Sequence, residues 1–553
     1  MGERDGLAAG RLLGALRRLR PRSSGLAADG GSLRLLHRAD DPVPGVASRG
    51  EALLAGDYEF GGLTVRASDA GAGASAPWRH REEGAYWLTE LHAFAWLRDL
   101  RAVGTRHAAE RARFLVLDWL RQHRSIEQLA AWEPAALGRR LSAWLAHSEF
   151  LLQGADAEFA GRFHQALELQ ASHLLRTARN ADQGLPQLIV AKGMIESGLC
   201  LPDGERRVSQ GHKLLEATLE QHLLGDGGHV ERNPSSHLAA LWSLAALRAT
   251  LEAGGHPVVP ELSEGIARLA PVLRMLRHGD GALALFNGGV EEERGLIDLA
   301  LSRAAEVGGH ALLDAPDTGF RRIESRHATL IADTGVPSVT GRWAHAGTLS
   351  LEMSAGRERL IVNCGGWRGG ESAWREALRA TAAHSTLTVD DTNSATLDAS
   401  GTIADGPTTV QVERRDQDGA TWIDASHDGY LDTLGLVHKR RLYAGAAGAD
   451  VRGEDSLIHV RKRRRQGREF ALRFHLHPDV RSALTEDRRA ALLRLPSGAV
   501  WQMRAVGASV SIDESVYAGD GANRRRTSQV ALTGPIEDTT TVKWALRLLP
   551  TGN

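Results

Sequence analysis

The spacing of apolar residues changes once along this 553-residue chain, near Pro316-Asp317-Thr318-Gly319. Before this point apolar residues recur at i, i+4 and i+7, as on the buried face of a helix, for example over 86–98. After it, short apolar and β-branched runs are separated by turn residues, which is typical of antiparallel strands. A helical first half followed by an all-β second half predicts two folded parts.

The helical half shows serial helices with short loops and no strands between them. Later helical runs lie near 187–199, 207–224, 236–253 and 260–277. Such runs predict an all-helical domain wound as a ring or solenoid, and the strands that follow predict a large antiparallel sandwich. We therefore expect a basic N-terminal arm over 1–55, a helical domain over 56–312 and a β-sandwich over 313–553.

Charge and cysteine content exclude several classes of protein. The formal net charge is −1, so no global field attracts nucleic acid or a membrane. The basic run Arg461–Arg465 lacks interleaved aromatic residues and predicts an exposed turn or a site for an acidic polymer rather than for nucleic acid. Cys200 and Cys364 form no disulfide framework. No run approaches the roughly 20 apolar residues of a transmembrane helix.

The N-terminus does not have the pattern of a signal peptide, because Glu3 and Asp5 lie where positive charge is expected. Apolar residues between Leu12 and Leu19 have helical spacing with a basic opposite face. This pattern predicts a helix on the main body or an arm, with a membrane-surface or docking helix as the alternative. A cytoplasmic location therefore stays open.

One histidine, His384, lies at the start of a predicted strand. An arginine-bearing segment with Arg375 and Arg379 precedes it, and the run Thr386–Val389 follows and ends at Asp390-Asp391. Imidazole is the side chain best suited to moving protons near neutral pH. His384 is therefore a candidate acid or base, and the alternative is a histidine that caps a strand of an ordinary sandwich.

A second polar cluster lies in the loop 225–237 between two predicted helices. Glycines end the first helix, and Asn233-Pro234-Ser235 can begin the next. Loops that hold many polar groups between apolar helices tend to be functional, whereas the alternative here is a helix cap with surface charge. The polar members are His229, Glu231, Arg232, Asn233 and His237.

Two further histidine patterns could take part in chemistry. Trp343 and His345 come just before a predicted strand. His475 and His477 alternate along another strand, so they are expected on the same face. With His384 or an aspartate they could bind a zinc-type metal ion, although a structural pair is the alternative.

Several of these motifs, taken together and in this order, resemble the heparinase II/III-like family of polysaccharide lyases, and most of all its proteobacterial members. The resemblance runs from about residue 40 to the end and is most specific in the C-terminal half. It implies an incomplete α/α toroid followed by an antiparallel β-sandwich, with a substrate cleft between them. The matching stretches are 226–234, 278–288, 345–350, 362–365, 383–387, 427–430 and 474–478.

The family resemblance implies β-elimination at a uronic acid of an acidic polysaccharide or oligosaccharide, heparin-like, heparan-like or related, with no required cofactor. A lyase neutralises the uronate carboxylate, a base removes the C5 proton, and an acid protonates the leaving oxygen. Characterised members typically use an Asn–His pair, a tyrosine and a sandwich histidine, and His384 matches the last of these.

The other members of that set are replaced in this sequence. Gly184-Leu185-Pro186-Gln187 stands where Asn–His is expected, and Ser236 stands in place of the tyrosine. Tyr430 could then supply the phenol, with Asn233 or Gln187 as the amide. The predicted catalytic residues are His384, Tyr430, Asn233 and His237. The predicted substrate-binding residues are Gln187, His229, Glu231, Arg232, Trp343, His345, Arg375 and Arg379.

The resemblance also implies a structural zinc or calcium ion in some members, for which His384, Asp390, His475 and His477 are the nearest candidates. It implies a cell-envelope or periplasmic location. The two replacements favour a different function, that of a non-catalytic glycan-binding or cell-envelope protein that keeps the lyase fold. The density of polar residues in the loops favours the lyase.

Overall fold

The computed structural model describes residues 35–67, 77–79, 84–123, 129–304, 310–340, 343–398, 401–460, 468–538 and 540–550. The predicted helix near the N-terminus and the basic run Arg461–Arg465 lie outside these residues. The described residues belong to one unit, Leu35–Asn553. The limits proposed for the arm, the helical domain and the sandwich stay a prediction.

Helices dominate the described chain up to Arg303, apart from a hairpin of β1 (Asp57–Phe60) and β2 (Leu63–Arg66). Side chains cap several of these helices: Thr105 accepts a hydrogen bond from the amide of Ala108, and Asp156 accepts one from that of Phe159. The helices are α1 (Ala47–Leu54), α2 (Ala85–Ala93), α3 (Leu97–Val103), α4 (Arg106–Gln122), α5 (Leu129–Trp132), α6 (Pro134–Ala146), α7 (Ser148–Leu152), α8 (Ala157–Thr177), α9 (Leu185–Cys200), α10 (Glu205–His222), α11 (Pro234–Ala253), α12 (Pro260–Met275) and α13 (Arg294–Arg303).

Helix α9 lies at the centre of the helical part and packs against α6, α10 and α11. Its crossing with α6 is close, because a Cβ atom added to Gly193 would lie only 2.9 Å from Cα of Gly138. Among the described residues, no helix is long and apolar enough to cross a membrane.

Antiparallel strands dominate from Asp314 onward and form two large sheets. The described strands of one sheet run in the order β11-β12-β13-β14-β21-β18-β17-β16, and those of the other in the order β19-β20-β15-β7-β6-β5-β4-β3, with β8 beside β15. The elements are β3 (Asp314–Ala315), β4 (Phe320–Glu324), β5 (Thr329–Asp333), β6 (Leu351–Ala355), β7 (Glu358–Val362), α14 (Ser372–Arg379), β8 (Leu387–Val389), β9 (Thr396–Leu397), β10 (Ile403–Asp405), β11 (Val410–Gln417), β12 (Ala420–His427), α15 (Leu431–Leu434), β13 (Leu436–Ala444), β14 (Asp450–His459), β15 (Glu469–Leu476), β16 (Arg481–Leu484), β17 (Ala490–Arg494), β18 (Val500–Val506), β19 (Ser509–Tyr517), β20 (Arg525–Pro535) and β21 (Thr540–Leu548).

The two sheets share one apolar core. Phe474 of β15 in one sheet lies 4.9 Å, between ring centroids, from Trp544 of β21 in the other. Leu472, Leu442 and Trp501 belong to the same buried cluster. Alternating burial along β12 and β13 fits a sheet with one face in this core and the other towards solvent.

Buried polar contacts join the helical part to the sandwich. Nε2 of His278, in the loop after α12, lies 2.8 Å from the carboxylate of Glu352 on β6. Arg232, in the loop before α11, forms an ion pair with Asp333 at the end of β5. Because all four side chains are buried, these contacts fix how the loop before α11 and the loop after α12 meet the sheet that contains β5 and β6.

Candidate functional site

His384 and His345 form a hydrogen-bonded pair in front of β8. Nδ1 of His384 lies 2.8 Å from the carbonyl oxygen of Ala380, and because a carbonyl only accepts, this nitrogen carries the hydrogen. In a neutral ring Nε2 of His384 is then an acceptor, and Nδ1 of His345, 3.0 Å away, donates to it. This order of donors and acceptors leaves the lone pair of the dyad on Nε2 of His345.

Burial keeps both rings neutral. It lowers the pKa of His345 well below its usual value, and the neighbouring His384 lowers that pKa further. Burial also lowers the pKa of His384, although the hydrogen bond to Ala380 partly offsets this shift. The pair can therefore accept a proton only weakly at neutral pH, because the pKa of a good general base lies near the working pH.

Two glycines let the backbone approach the two rings. A Cβ atom on Gly347 would lie 2.7 Å from Cδ2 of His384. A Cβ atom on Gly288 would lie 3.4 Å from Nε2 of His345 and 3.1 Å from Cβ of Trp343. Gly288 belongs to the loop after α12, so the lone pair of the dyad lies beside the junction of the helical part and the sandwich.

The loop before α11 supplies the second group of predicted residues. Oδ1 of Asn233 accepts hydrogen bonds from the amides of Ser235 and Ser236, at 2.8 and 3.2 Å, and so caps α11. Its Nδ2 donates to the carbonyl oxygen of Asn287 at 2.9 Å. Asn233 therefore joins the start of α11 to the segment that ends at Gly288, next to the dyad.

Arg232 and His237 are held by main-chain oxygens. Arg232 donates to the carbonyls of Thr318 and Val336, at 2.6 and 2.7 Å, in addition to its ion pair with Asp333. Nε2 of His237 donates to the carbonyl of Leu269 at 2.8 Å. Burial lowers the pKa of His237 to about 4, so this ring is neutral at physiological pH.

Glu231 and His229 face the start of α9 and the end of α10. Oε1 of Glu231 accepts from the amide of Leu185 at 2.9 Å, in the segment where the Asn–His pair was expected. Burial raises the pKa of Glu231, whereas a hydrogen bond with Ser236 lowers it. Burial lowers the pKa of His229 to about 3, and its ring lines a small cavity with His222.

Tyr430 lies inside the sandwich core and is 0% exposed. Its hydroxyl donates to the carbonyl oxygen of Leu387 at 2.8 Å, and burial raises its pKa above the usual value. The ring lies 5.6 Å from that of His427. The phenol therefore bonds the strand that follows His384 rather than a surface that a sugar could reach.

The remaining predicted residues lie around α14 and α9. Arg375 lies over the ring of half-buried Trp343, with 6.0 Å from Cζ to the ring centroid. Arg379 is buried and donates to the carbonyls of Ala344, Asp398 and Thr402, so it holds the segment before His345 in place. Gln187 lies half-buried in the first turn of α9.

Comparisons with known proteins agree with this architecture. Residues 308–545 match the family model described as Heparinase II/III-like, C-terminal. FtsZ-localized protein C of Caulobacter vibrioides (strain NA1000 / CB15N) is 32% identical over 545 residues, which covers 95% of this chain and 91% of that protein. The chain belongs to the heparinase II/III-like family.

The heparinase fold itself is confirmed by solved structures. A crystal structure of heparinase III superposes with a TM-score of 0.74 at 13% identity, covering 98% of this chain and 89% of that one. A mutant of the heparan sulfate lyase HepC from Pedobacter heparinus gives a TM-score of 0.63 at 14% identity, with 93% and 85% coverage. The predicted toroid followed by a β-sandwich is therefore the fold of this heparinase II/III-like protein.

The four residues predicted to hold zinc or calcium do not fit a metal site. Both ring nitrogens of His475 are hydrogen-bonded, to Oγ of Ser515 at 2.7 Å and to the carbonyl of Ala382 at 2.9 Å. His384 has its own two partners, Asp390 accepts from the amide of Glu469, and His477 lies beside Asp479. In the part of this heparinase II/III-like chain that the structure describes, no three His, Cys, Asp or Glu side chains are arranged to hold a metal ion.

A further acid–base group lies at the junction, and two of its members, Glu291 and Tyr517, are not among the residues predicted from the sequence. The hydroxyl of Tyr517 donates to the carboxylate of Glu291, and Nε2 of His477 lies 3.8 Å from the same carboxylate. Although burial raises the pKa of Glu291, hydrogen bonding with His477 and the charge of Arg359 lower it to about 2. Glu291 closely follows the family stretch 278–288, so its position in the sequence could have marked it as a candidate site residue. No motif marks Tyr517.

Proposed function

We propose that this chain is a non-catalytic cell-envelope protein of the heparinase II/III-like family that keeps the lyase fold and works together with FtsZ. The observation that carries the proposal is the use of the predicted catalytic side chains as structural bonds. Both ends of the Asn233 amide, the Nε2–H of His237 and the hydroxyl of Tyr430 are bound to the main chain of this protein.

A lyase needs these same groups for its substrate. A donor such as an amide must be available to neutralise the uronate carboxylate, and an acid such as a phenol must reach the leaving oxygen. Here the phenol lies in an apolar core, and Ser236, in the first turn of α11, stands in place of the tyrosine that the family resemblance implies. Serine has far too high a pKa to replace a phenol as acid or base without help, so Ser236 cannot supply the ordinary proton transfers.

The second support is the relative FtsZ-localized protein C. Its identity of 32% extends over 95% of this chain, so it includes the helical part as well as the sandwich. A role that the two proteins share would therefore depend on the whole molecule rather than on one catalytic cleft. We infer that an association with FtsZ is the property that this chain shares with FtsZ-localized protein C.

Localisation in cells tests this proposal directly. We expect a fluorescent fusion of the full chain to follow labelled FtsZ in the bacterium that encodes it, and the purified chain to bind purified FtsZ. His384→Gln and His345→Gln should localise like the wild type, once circular dichroism has shown that both fold. A fusion that is spread through the cell, without binding to FtsZ in solution, rejects the proposal.

The His345–His384 dyad supports a second candidate, a lyase that cleaves an acidic, uronate-containing polysaccharide by β-elimination. A neutral, hydrogen-bonded imidazole pair at the junction of toroid and sandwich could remove the C5 proton through Nε2 of His345. Arg375 and Trp343 lie close by and could bind the carboxylate and the sugar face. The low pKa of the dyad weakens it as a base, which is why this candidate comes second.

Ultraviolet absorbance distinguishes the two candidates, because β-elimination leaves a conjugated C4–C5 double bond. The full chain is incubated with heparin, heparan sulfate, hyaluronan, alginate and glucuronan. No absorbance change on any polymer is expected of the non-catalytic protein. A rising signal that is lost in His384→Ala and kept in Arg106→Met, an exposed arginine on α4, would establish the lyase.

A further inference from the structure

Arg140 on α6 is buried in the helical part without a carboxylate partner among the described residues. Its side chain is 0% exposed. Nε donates to Oε1 of Gln170 at 2.5 Å, and Nη1 donates to the carbonyls of His92 and Ala131 at 3.1 and 2.8 Å. Nη2 is buried and has no hydrogen-bond partner in the described part of the chain.

Two more unpartnered donors belong to the side chains that touch Arg140. Oε1 of Gln170 faces the guanidinium, which only donates, so the orientation of this amide is fixed and its Nε2 points elsewhere. That Nε2 and Nε1 of Trp132 are buried and have no partner among the described residues. Cζ of Arg140 lies 5.6 Å from the ring centroid of Trp132, and Gln170 is hydrogen-bonded to Arg140, so the three donors belong to Arg140 and two side chains beside it.

The neighbouring rings offer no negative charge. Cζ of Arg140 lies 4.2 Å from the ring centroid of Trp119, which stabilises the cation through the π face. Burial lowers the pKa of His92 to about 3, and burial with nearby arginines lowers that of His173 to about 4, so both rings are neutral. A buried cation without a counter-charge is costly, and surplus donors with no acceptor add to the cost.

We propose that this cluster binds a small monovalent anion of the size of chloride. Nη2 of Arg140 supplies the charge, and Nε2 of Gln170 with Nε1 of Trp132 supply further donors. Trp132 and His173, whose ring centroids are 5.2 Å apart, are half-buried, so the site lies one side chain below the surface. A small ion suits this place, because the ring centroids of Trp119 and Trp132 lie 4.2 and 5.6 Å from Cζ of Arg140.

Thermal unfolding of the full chain tests the site, because a ligand that binds only the folded state raises Tm with its concentration. Sodium chloride is compared with sodium gluconate at constant ionic strength, since gluconate is too large to enter. We expect Tm to rise by about 1–2 °C for each tenfold increase in chloride. Arg140→Met should abolish this dependence, and Trp132→Phe, which keeps a ring but removes the donor, should at least halve it.

Arg106→Met is the matched control, because it removes an arginine that is 91% exposed and should leave the chloride dependence unchanged. If Arg140→Met does not fold, Trp132→Phe decides the question. Crystals soaked in bromide should show an anomalous peak within hydrogen-bond distance of Nη2 of Arg140. An equal chloride dependence in wild type and Trp132→Phe, no dependence in the wild type, or no bromide at Arg140 overturns the proposal.

Discussion

At the scale of single residues, Arg232 shows how a side chain that looks functional in sequence can be structural. Its backbone adopts φ of +54°, a left-handed conformation that non-glycine residues rarely take. This conformation aims the guanidinium away from α11 and towards Asp333 and two carbonyls of the sandwich. The loop before α11 therefore stabilises the junction whether or not it binds a ligand.

The first prediction concerns the buried pair of Arg232 and Asp333. Arg232→Met leaves the carboxylate of Asp333 buried, and the donors that remain to it among the described residues are the amide of Gly335 and Nδ2 of Asn287, at 3.1 and 3.3 Å. Breaking a buried ion pair by removing one partner typically costs about 3–5 kcal/mol. We expect a loss of this size in the free energy of unfolding, measured with urea.

The double variant Arg232→Met with Asp333→Asn is the control for this pair. It removes the uncompensated charge, so it should recover part of the lost stability. Arg106→Met breaks an exposed ion pair with Glu110 and should cost under about 1 kcal/mol. A loss in Arg232→Met as small as that in Arg106→Met would show that the pair does not stabilise the junction.

The sequence could name the candidate residues of the site but not their partners. The histidines of the dyad are 39 residues apart, and the carbonyl that Tyr430 bonds is 43 residues away. Periodicity predicts the face of a helix or strand on which a residue lies, but it does not predict which residue of another element contacts it. Whether Asn233 serves a substrate or caps α11 depends on the position of Asn287, which only the folded loops fix.

At the scale of elements, the close crossing of α6 and α9 gives a second prediction. A methyl group on Gly193 would lie 2.9 Å from Cα and 3.1 Å from the carbonyl oxygen of Gly138, and main-chain atoms cannot turn aside. Overpacking of this kind typically costs about 1–3 kcal/mol. Gly193→Ala should therefore lower the urea midpoint of the helical part.

Gly161 on α8 is the matched control for this crossing. It is exposed, its φ is not positive, and an added Cβ would meet nothing within 4 Å. Because glycine inside a helix is about 0.5–1 kcal/mol less favourable than alanine, Gly161→Ala should raise stability. If both variants shifted the midpoint in the same direction, helix propensity rather than packing would dominate at Gly193.

Long helices were the easiest elements to predict, because their apolar periodicity persists over many residues. The predicted run 260–277 is observed as Pro260–Met275, and the predicted run 236–253 is observed as Pro234–Ala253. Strand β19 was missed, because Ser509–Tyr517 lies at the edge of its sheet, only Tyr517 in it is buried, and Glu514 interrupts its apolar alternation. Strand β20, which pairs with it, was missed as well. The order of the strands within each sheet could not be predicted from the sequence either. For example, β14 pairs with β21, which lies about 90 residues further along the chain.

At the scale of the whole molecule, histidines that are buried in their neutral form make the stability of both the helical part and the sandwich depend on pH. Burial lowers the pKa of His92 and His229 in the helical part and of His475 in the sandwich to about 3. His237, at the start of α11, has its pKa lowered to about 4. In the unfolded chain each of these rings has a pKa near 6.5. The unfolded state therefore binds more protons than the folded state between these values.

The third prediction follows from this difference in proton binding. Since the unfolded state binds the extra protons, the free energy of unfolding rises with pH between about 4 and 6.5 and falls as the solution is acidified through that window. Each ring contributes up to about 1.4 kcal/mol per pH unit. The lowered carboxyl pKa of Glu291 and Asp455, about 2 in each, affects stability only at lower pH.

Urea unfolding at pH 7.5, 6.0 and 5.0 measures this effect, and we expect a marked loss of stability between the last two values. His237→Gln keeps a side-chain amide that can donate to the carbonyl of Leu269 while removing one titrating ring. Its stability should therefore depend less steeply on pH, by about 1.4 kcal/mol per unit. A free energy of unfolding that stays constant from pH 7.5 to 5.0 would mean that these rings are protonated inside the folded protein.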